Sequence, residues 1–69
     1  MDPVTDAMLR TLEDLIDRYG MAEICDRLSE ICHAKAQHIR EDWHDETLAK
    51  AWERDAATLD KARTRVMSL

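Results

Sequence analysis

Residues 39–48 read Ile-Arg-Glu-Asp-Trp-His-Asp-Glu-Thr-Leu, and this stretch decides how many helices the chain forms. At 100° per residue, a helix running straight through it would place the apolar residues before and after it about 140–180° apart. A single straight helix would therefore need two opposite apolar faces. We predict instead a turn between about Glu41 and Glu46, with Asp42 or Asp45 capping the next helix. The alternative is one long helix that bridges two copies of the chain.

The segments on either side of this turn each carry one apolar stripe at helical spacing. The segment after the turn predicts a helix over about residues 46–66, whose core side is Leu48, Ala49, Trp52, Ala56, Leu59 and Val66. The segment before the turn predicts a helix over about residues 21–40, whose stripe is Met21, Ile24, Cys25, Leu28, Ile31, Cys32, Ala36 and Ile39. Because alanine side chains are short, the last helix can approach a neighbour closely, with Trp52 as its one large core residue.

The N-terminal segment carries the clearest helix signals. Asp2 followed by Pro3 is typical of an N-cap with proline at the first helical position. Gly20 is expected to end this helix in the left-handed conformation. The helix predicted between them, over about residues 3–19, has the apolar stripe Met8, Leu9, Leu12, Leu15, Ile16 and Tyr19. Because one residue separates the first two helices, we expect them to pack as an antiparallel pair.

The composition excludes most other fold classes. Of the 69 residues, one is glycine, one is proline and none is phenylalanine, so the turns and strands of a β protein are missing. We predict a single all-α domain over residues 1–69, a small three-helix bundle made of a helical hairpin plus a third helix. A chain this short buries little apolar surface, so we expect a homodimer to complete the core. The alternative is a hairpin whose third helix is completed by a partner.

Charge and hydropathy favour a cytoplasmic protein. The formal net charge is −5, no apolar segment of a signal peptide follows the first residues, and no run is long enough to span a bilayer. Cys25 and Cys32 would lie about 10.5 Å apart along one helix, which is too far for a disulfide. We therefore expect two reduced, buried thiols.

No motif indicates catalysis, a metal ion or a cofactor. The pairs Glu30/His33 and Glu41/His44 have the Glu-x-x-His spacing of di-iron carboxylate bundles, where that motif faces the bundle interior. Here the first pair lies on the polar side of its helix and the second lies at the predicted turn. The chain also lacks a Gly-rich phosphate loop and a paired nucleophile and base. We therefore expect a protein that is not an enzyme and holds neither a metal nor a cofactor.

The first candidate surface for a protein partner combines an aromatic side chain with acidic ones. Trp43 lies in the predicted turn, where it either caps the end of the bundle or stays exposed, and exposed aromatics are enriched at binding hot spots. The outer faces of the first two helices carry Asp6, Glu13, Asp14, Asp17, Glu23, Asp26 and Glu30. These carboxylates could meet a basic surface, such as one that normally binds nucleic acid. Otherwise they serve only to keep the protein in solution.

The second candidate surface is basic and lies on the third helix. Four cations fall within roughly 60° of one another around that helix: Lys50, Arg54, Lys61 and Arg65. They predict, as an alternative function, a nucleic-acid-binding helical dimer. Beside them runs the acidic row Glu46, Glu53 and Asp60, so the other interpretation is a solvent face neutralised by ion pairs such as Glu46 with Lys50.

In length, acidity, helix content and lack of a catalytic motif, the whole chain resembles a class of small regulators and inhibitors. That class includes proteins encoded by phages and mobile elements against host machinery, the anti-CRISPR-type proteins among them. The resemblance implies a non-catalytic module that binds a protein partner and occludes or bridges it. We take this as the predicted function. The expected binding partners are another protein and a second copy of the chain, and we expect no binding to a membrane.

Overall fold

The computed structural model describes residues 2–67 and contains three α-helices and no strand within that range. Helix α1 spans Pro3–Tyr19, α2 spans Met21–His38 and α3 spans Glu46–Arg63. A π-helical turn, Ile39–Trp43, joins α2 to α3 and is called the π turn below. The predicted all-α class with three helices is confirmed. The alternative of one long rod is wrong, because α3 folds back along α2.

Both predicted aspartate caps are present at the starts of their helices. The Asp2 carboxylate accepts hydrogen bonds from the backbone N–H and the hydroxyl of Thr5, each at 2.9 Å. The backbone hydrogen bond is the main reason that the pKa of Asp2 lies below its ordinary value of 3.8. Asp45 accepts from the Leu48 backbone N–H at 3.0 Å, so it is Asp45 rather than Asp42 that caps α3.

The turn between α2 and α3 lies where the apolar phase predicts it. Helix α2 leaves α geometry at His38, slightly before the expected end near residue 40, and α3 ends at Arg63 rather than near residue 66. His44 then takes the left-handed conformation, with φ 53° and ψ 30°. Glycine is the residue most often found in this conformation, because in other residues the Cβ atom comes too close to the following carbonyl oxygen.

Gly20 forms the whole connection between α1 and α2. Its φ of 84° is positive as expected, but its ψ of 157° lies outside the left-handed helical region. That combination is accessible essentially only to glycine. The Gly20 N–H donates to the Ile16 carbonyl at 2.8 Å and the Gly20 carbonyl accepts from the Ile24 N–H at 3.2 Å. One residue therefore ends α1 and begins α2 while turning the chain.

The helical hairpin consists of α2 and α3, so the expectation that the first two helices pair is wrong. The buried residues where α2 and α3 meet are all small, and we call them the seam: Cys25, Ser29, Cys32, Ala36, Ala49 and Ala56. The Ser29 hydroxyl donates to the Ala56 backbone carbonyl at 3.3 Å, a bond that requires the two helices to lie close together. Small side chains allow that approach, and the seam rather than the larger residues of α1 forms the core.

Helix α1 contacts α2 but not α3 within residues 2–67, and it has no buried residue. The arrangement is wide in two dimensions and thin in the third, with extents of 37 × 32 × 16 Å. Its radius of gyration is 14.3 Å, whereas a compact domain of this length has about 11 Å. The apolar side chains of α1 are thus left largely uncovered by the chain itself.

Candidate functional site

One side of the hairpin carries ion pairs centred on Arg40, in the π turn. Arg40 Nε and Nη2 donate to the two carboxylate oxygens of Glu46, at 2.8 and 2.9 Å. Its Nη1 donates to Glu53 at 2.6 Å. Arg40 thus connects the π turn to Glu46 and Glu53 of α3. Arg40 was not singled out from the sequence. Its positive charge is opposite to that of the acidic row of α3, Glu46, Glu53 and Asp60, which faces α2 in the structure.

One further ion pair and one longer contact continue this row towards the other end of the hairpin. Arg63 Nε lies 2.6 Å from Asp26, and His33 Nε2 lies 4.0 Å from Asp60. In α2 and the π turn the partners Asp26, His33 and Arg40 recur every seven residues, and the acidic row Glu46, Glu53 and Asp60 does the same on α3. This shared seven-residue spacing was the sequence signal for the pairing of α2 with α3.

We expect Arg40→Gln to lower the thermal midpoint at about pH 7 and to change it far less at about pH 3. The hydrogen bonds from Arg40 hold the pKa of Glu46 and of Glu53 below their ordinary value of 4.5. Carboxyl pKa values that are lower in the folded protein add stability above the unfolded value and lose it as the pH falls through the folded values. The gap between wild type and variant should therefore close on acidification, as measured by circular dichroism melts.

The matched control is Arg27→Gln, which removes the same charge from an arginine whose two ion pairs lie within α2. Arg27 contacts Glu23 at 3.0 Å and Glu30 at 2.7 Å. Pairs of this kind on an exposed helix face contribute little. An Arg40→Gln protein that melts like the Arg27→Gln protein at every pH would show that the Arg40 contacts do not hold the hairpin.

On the other side of the seam, α2, the π turn and α3 enclose an open groove of about 650 Å³. We call it the Trp43 groove. Its lining is mostly apolar: Ile31, Ala34, Lys35, His38, Ile39, Trp43, Leu48 and Trp52. A groove of this size and character is typical of a site that receives a ligand or a partner's side chains. Sequence reasoning found Trp43 but not the groove, because the groove exists only once α3 is placed against α2.

The two tryptophans have different roles in the Trp43 groove. Trp43 is 70% exposed and stands in the π turn, so the prediction of an exposed aromatic is the one that holds. Trp52 is half-buried rather than fully in the core, and it lines the groove. Lys35 Nζ lies 5.4 Å from the centre of the Trp52 ring, within the range of a cation–π interaction. Lys35 thus places a positive charge over the Trp52 ring.

His38 also lines the groove and is oriented by the turn. Its Nδ1 lies 2.8 Å from the carboxylate of Asp42, one turn further along the chain. Asp42 lies within the π turn, three residues before the cap Asp45, and contacts His38 rather than α3. The two Glu-x-x-His pairs do not come together, and no three His, Cys, Asp or Glu side chains within residues 2–67 are grouped as a metal site requires.

The acidic surface predicted from the sequence is largely neutralised within the chain. Four of its seven carboxylates lie within 3.1 Å of an arginine of the same chain: Asp14, Glu23, Asp26 and Glu30. Within residues 2–67 the other three have no ion pair: Asp6, Glu13 and Asp17. The charge left for a basic partner is therefore confined to the outer face of α1.

The basic stripe keeps its charges free. Its four cations are exposed and none lies within 4 Å of a carboxylate among residues 2–67: Lys50, Arg54, Lys61 and Arg65. The expected pair between Glu46 and Lys50 is not formed, because Glu46 turns to Arg40 instead. The interpretation of this face as one neutralised by its own ion pairs is therefore wrong.

Cys25 and Cys32 are both free and buried in the seam, as expected from their spacing. Among residues 2–67, no helix combines the length and the apolar character needed to cross a membrane. Comparison of the chain with protein-family models, with curated proteins and with solved structures finds no match in any of the three.

Proposed function

We propose that the protein is a non-catalytic binding module that occludes a surface of a protein partner through the Trp43 groove. The observation that carries this proposal is the groove itself, an apolar trough of about 650 Å³ beside an aromatic side chain that is 70% exposed. Apolar surface that the chain does not use for its own core is typical of an interaction site. A large exposed tryptophan is the residue type most enriched among binding hot spots.

The chemistry of the groove defines the partner. Two antiparallel helices form its walls, and such a trough accommodates the apolar face of an amphipathic helix. Lys35 lines the groove and has no carboxylate within 4 Å among residues 2–67. We therefore propose a partner helix with large apolar anchors and a neighbouring carboxylate that meets Lys35. The protein would act as a small regulator or inhibitor of the kind that phages and mobile elements encode.

Capture experiments with Trp43→Ala test this proposal. Tagged wild-type protein and the variant are incubated with nuclease-treated native lysate, and the retained proteins are identified by mass spectrometry. Loss of a central tryptophan contact costs about 2 kcal/mol or more, so we expect at least about 30-fold weaker binding of the same partner. The control is Glu41→Ala, which changes another exposed residue of the π turn outside the groove lining and should leave recovery unchanged.

The salt dependence of that binding separates the groove from the acidic face of α1. Contacts made in an apolar groove weaken little as salt is raised, whereas pairing with Asp6, Glu13 and Asp17 would be strongly screened. We expect the partner to stay bound through a wash at about 0.5 M salt, where the Debye length is only a few Å. Release of the partner by that wash, with Trp43→Ala binding normally, would move the site to the acidic face.

The proposal includes a homodimer and a cytoplasmic location. The flat arrangement, with a radius of gyration of 14.3 Å, supports a second copy, because the chain leaves much of its apolar surface uncovered. Two free, buried thiols support a reducing compartment.

A second candidate function, nucleic-acid binding by the dimer, is favoured by the unpaired cations Lys50, Arg54 and Lys61 of α3. The fourth predicted cation, Arg65, lies in the turn beyond the end of α3 at Arg63. The test of this function is the double charge reversal Lys50→Glu with Arg54→Glu, measured by fluorescence anisotropy on labelled duplex DNA at fixed salt. The control is Arg10→Glu with Arg18→Glu, which makes the same change in net charge on α1. Binding by wild type and control but not by the α3 variant would establish this function. A wild type that does not bind would exclude it.

A further inference from the structure

Helix α1 exposes an apolar face along its length, including Tyr19, which lies beside Gly20 and is 54% exposed. The exposed fraction of the side chains falls from 73% at Val4 through 59% at Met8 and 51% at Leu9 to 42% at Leu12. Closer to Gly20, Leu15 and Ile16 are half-buried. The first three turns of α1 therefore extend beyond the hairpin, and nothing in residues 2–67 covers them.

The spacing of this face is that of a helix which packs along a second helix. Met8, Leu12, Leu15 and Tyr19 follow one another at steps of four, three and four residues, the step pattern of a coiled-coil seam. We call these four residues the α1 seam. The unpaired carboxylates Asp6, Glu13 and Asp17 lie on the opposite side of the helix, at least about 100° around the helix axis from each residue of the α1 seam. A copy of α1 could therefore approach the α1 seam without meeting a like charge.

The surface area indicates how much of the chain a second copy would cover. The accessible area of the chain is 5574 Å², whereas a folded monomer of 8.0 kDa has about 4,450 Å². The excess is about 1,100 Å². A stable dimer of standard size buries about 800 Å² on each partner, so the excess is large enough for one such interface. Five of the large apolar side chains that are exposed belong to α1: Val4, Met8, Leu9, Leu12 and Tyr19.

We propose that two copies of the chain associate through α1, with the α1 seam of one copy packed against that of the other about a two-fold axis. Such an interface uses the same patch on both copies, and an uncharged apolar seam with no carboxylate beside it is complementary to itself. This inference specifies the homodimer included in the proposed function. It leaves the Trp43 groove of each copy open for a partner.

Sedimentation equilibrium of the full chain over a range of concentrations tests the interface. We expect wild type to dimerise and Leu12→Glu to weaken dimerisation by at least about 100-fold, because each dimer would bury two unpaired carboxylates. Met8→Glu, at the more exposed position, provides a second disruption in case the first variant loses helix content by circular dichroism. Both variants should keep the hairpin, because α1 contributes no buried residue.

Two further variants distinguish this interface from others. Arg10→Gln makes the same change in net charge on the opposite face of α1 and should dimerise like wild type. Trp43→Ala should also dimerise like wild type, and its loss of partner binding is a separate result. The proposal is overturned by a dimer that survives both Leu12→Glu and Met8→Glu, by a dimer that Trp43→Ala dissociates, or by a wild type that is monomeric at every concentration. The last outcome removes the homodimer while leaving the groove proposal to its own test.

Discussion

Replacing Ala56 with leucine is expected to destabilise the protein by about 3 kcal/mol, most of what a domain of this size has. Ala49 and Ala56 have no exposed surface, and the Ala56 carbonyl accepts a hydrogen bond from Ser29 across the seam at 3.3 Å. Three additional carbon atoms at position 56 have no room while the helices stay this close. The helices must separate, which breaks the Ser29 bond and lengthens the ion pairs beside it.

Urea denaturation followed by circular dichroism measures this effect, with Ala57→Leu as its control. Ala57 is the next residue of α3 and is exposed, so the same change in composition should shift stability by no more than about 0.5 kcal/mol. The isolated helices of 17 and 18 residues are only marginally stable in water, so loss of the seam should remove most of the helical signal. Equal midpoints for the two variants would contradict a close-packed seam at Ala56.

The ends of the helices were predictable because local chemistry sets them. Asp2 with Pro3, Gly20 and Asp45 each satisfy backbone groups within a few residues, so the same signals operate whatever the tertiary fold is. The bounds predicted for α1 agree with the structure for this reason. The turn after His38 has no glycine or proline, yet the opposite phase of the apolar residues on its two sides placed it correctly.

The pairing of the helices was not predictable from the stripes alone. A stripe shows which face of a helix is apolar, but not which neighbour covers it, and the large residues of α1 suggested a core that the structure does not form. The seam instead uses small residues, which let α2 and α3 approach closely where these residues meet. The Trp43 groove forms only when α2 and α3 pack in this register, so the sequence indicated Trp43 as a candidate binding residue but not the groove beside it.

Replacing Gly20 with alanine is expected to convert the corner between α1 and α2 into a straight helix. The φ of 84° and ψ of 157° at Gly20 cost an L-residue about 1–3 kcal/mol, whereas the helical conformation suits alanine well. Only this one pair of angles interrupts the helix, because the Gly20 N–H and carbonyl already bond to residues four positions away, Ile16 and Ile24. The 17 residues of α1, position 20 and the 18 residues of α2 would then form one rod about 54 Å long.

Small-angle X-ray scattering detects this change, because the largest extent of the described chain is 37 Å. The matched control is a D-alanine at position 20, introduced by chemical synthesis, since the mirror-image residue favours positive φ. It adds the same methyl group and should keep the wild-type scattering profile, whereas Gly20→Ala should lengthen the particle and raise its helix content. If the two alanine proteins scatter alike, the corner is held by packing around Gly20 rather than by its backbone conformation. The bend of α1 away from the hairpin, and with it the exposure of the α1 seam, would then depend on the half-buried side chains Leu15 and Ile16.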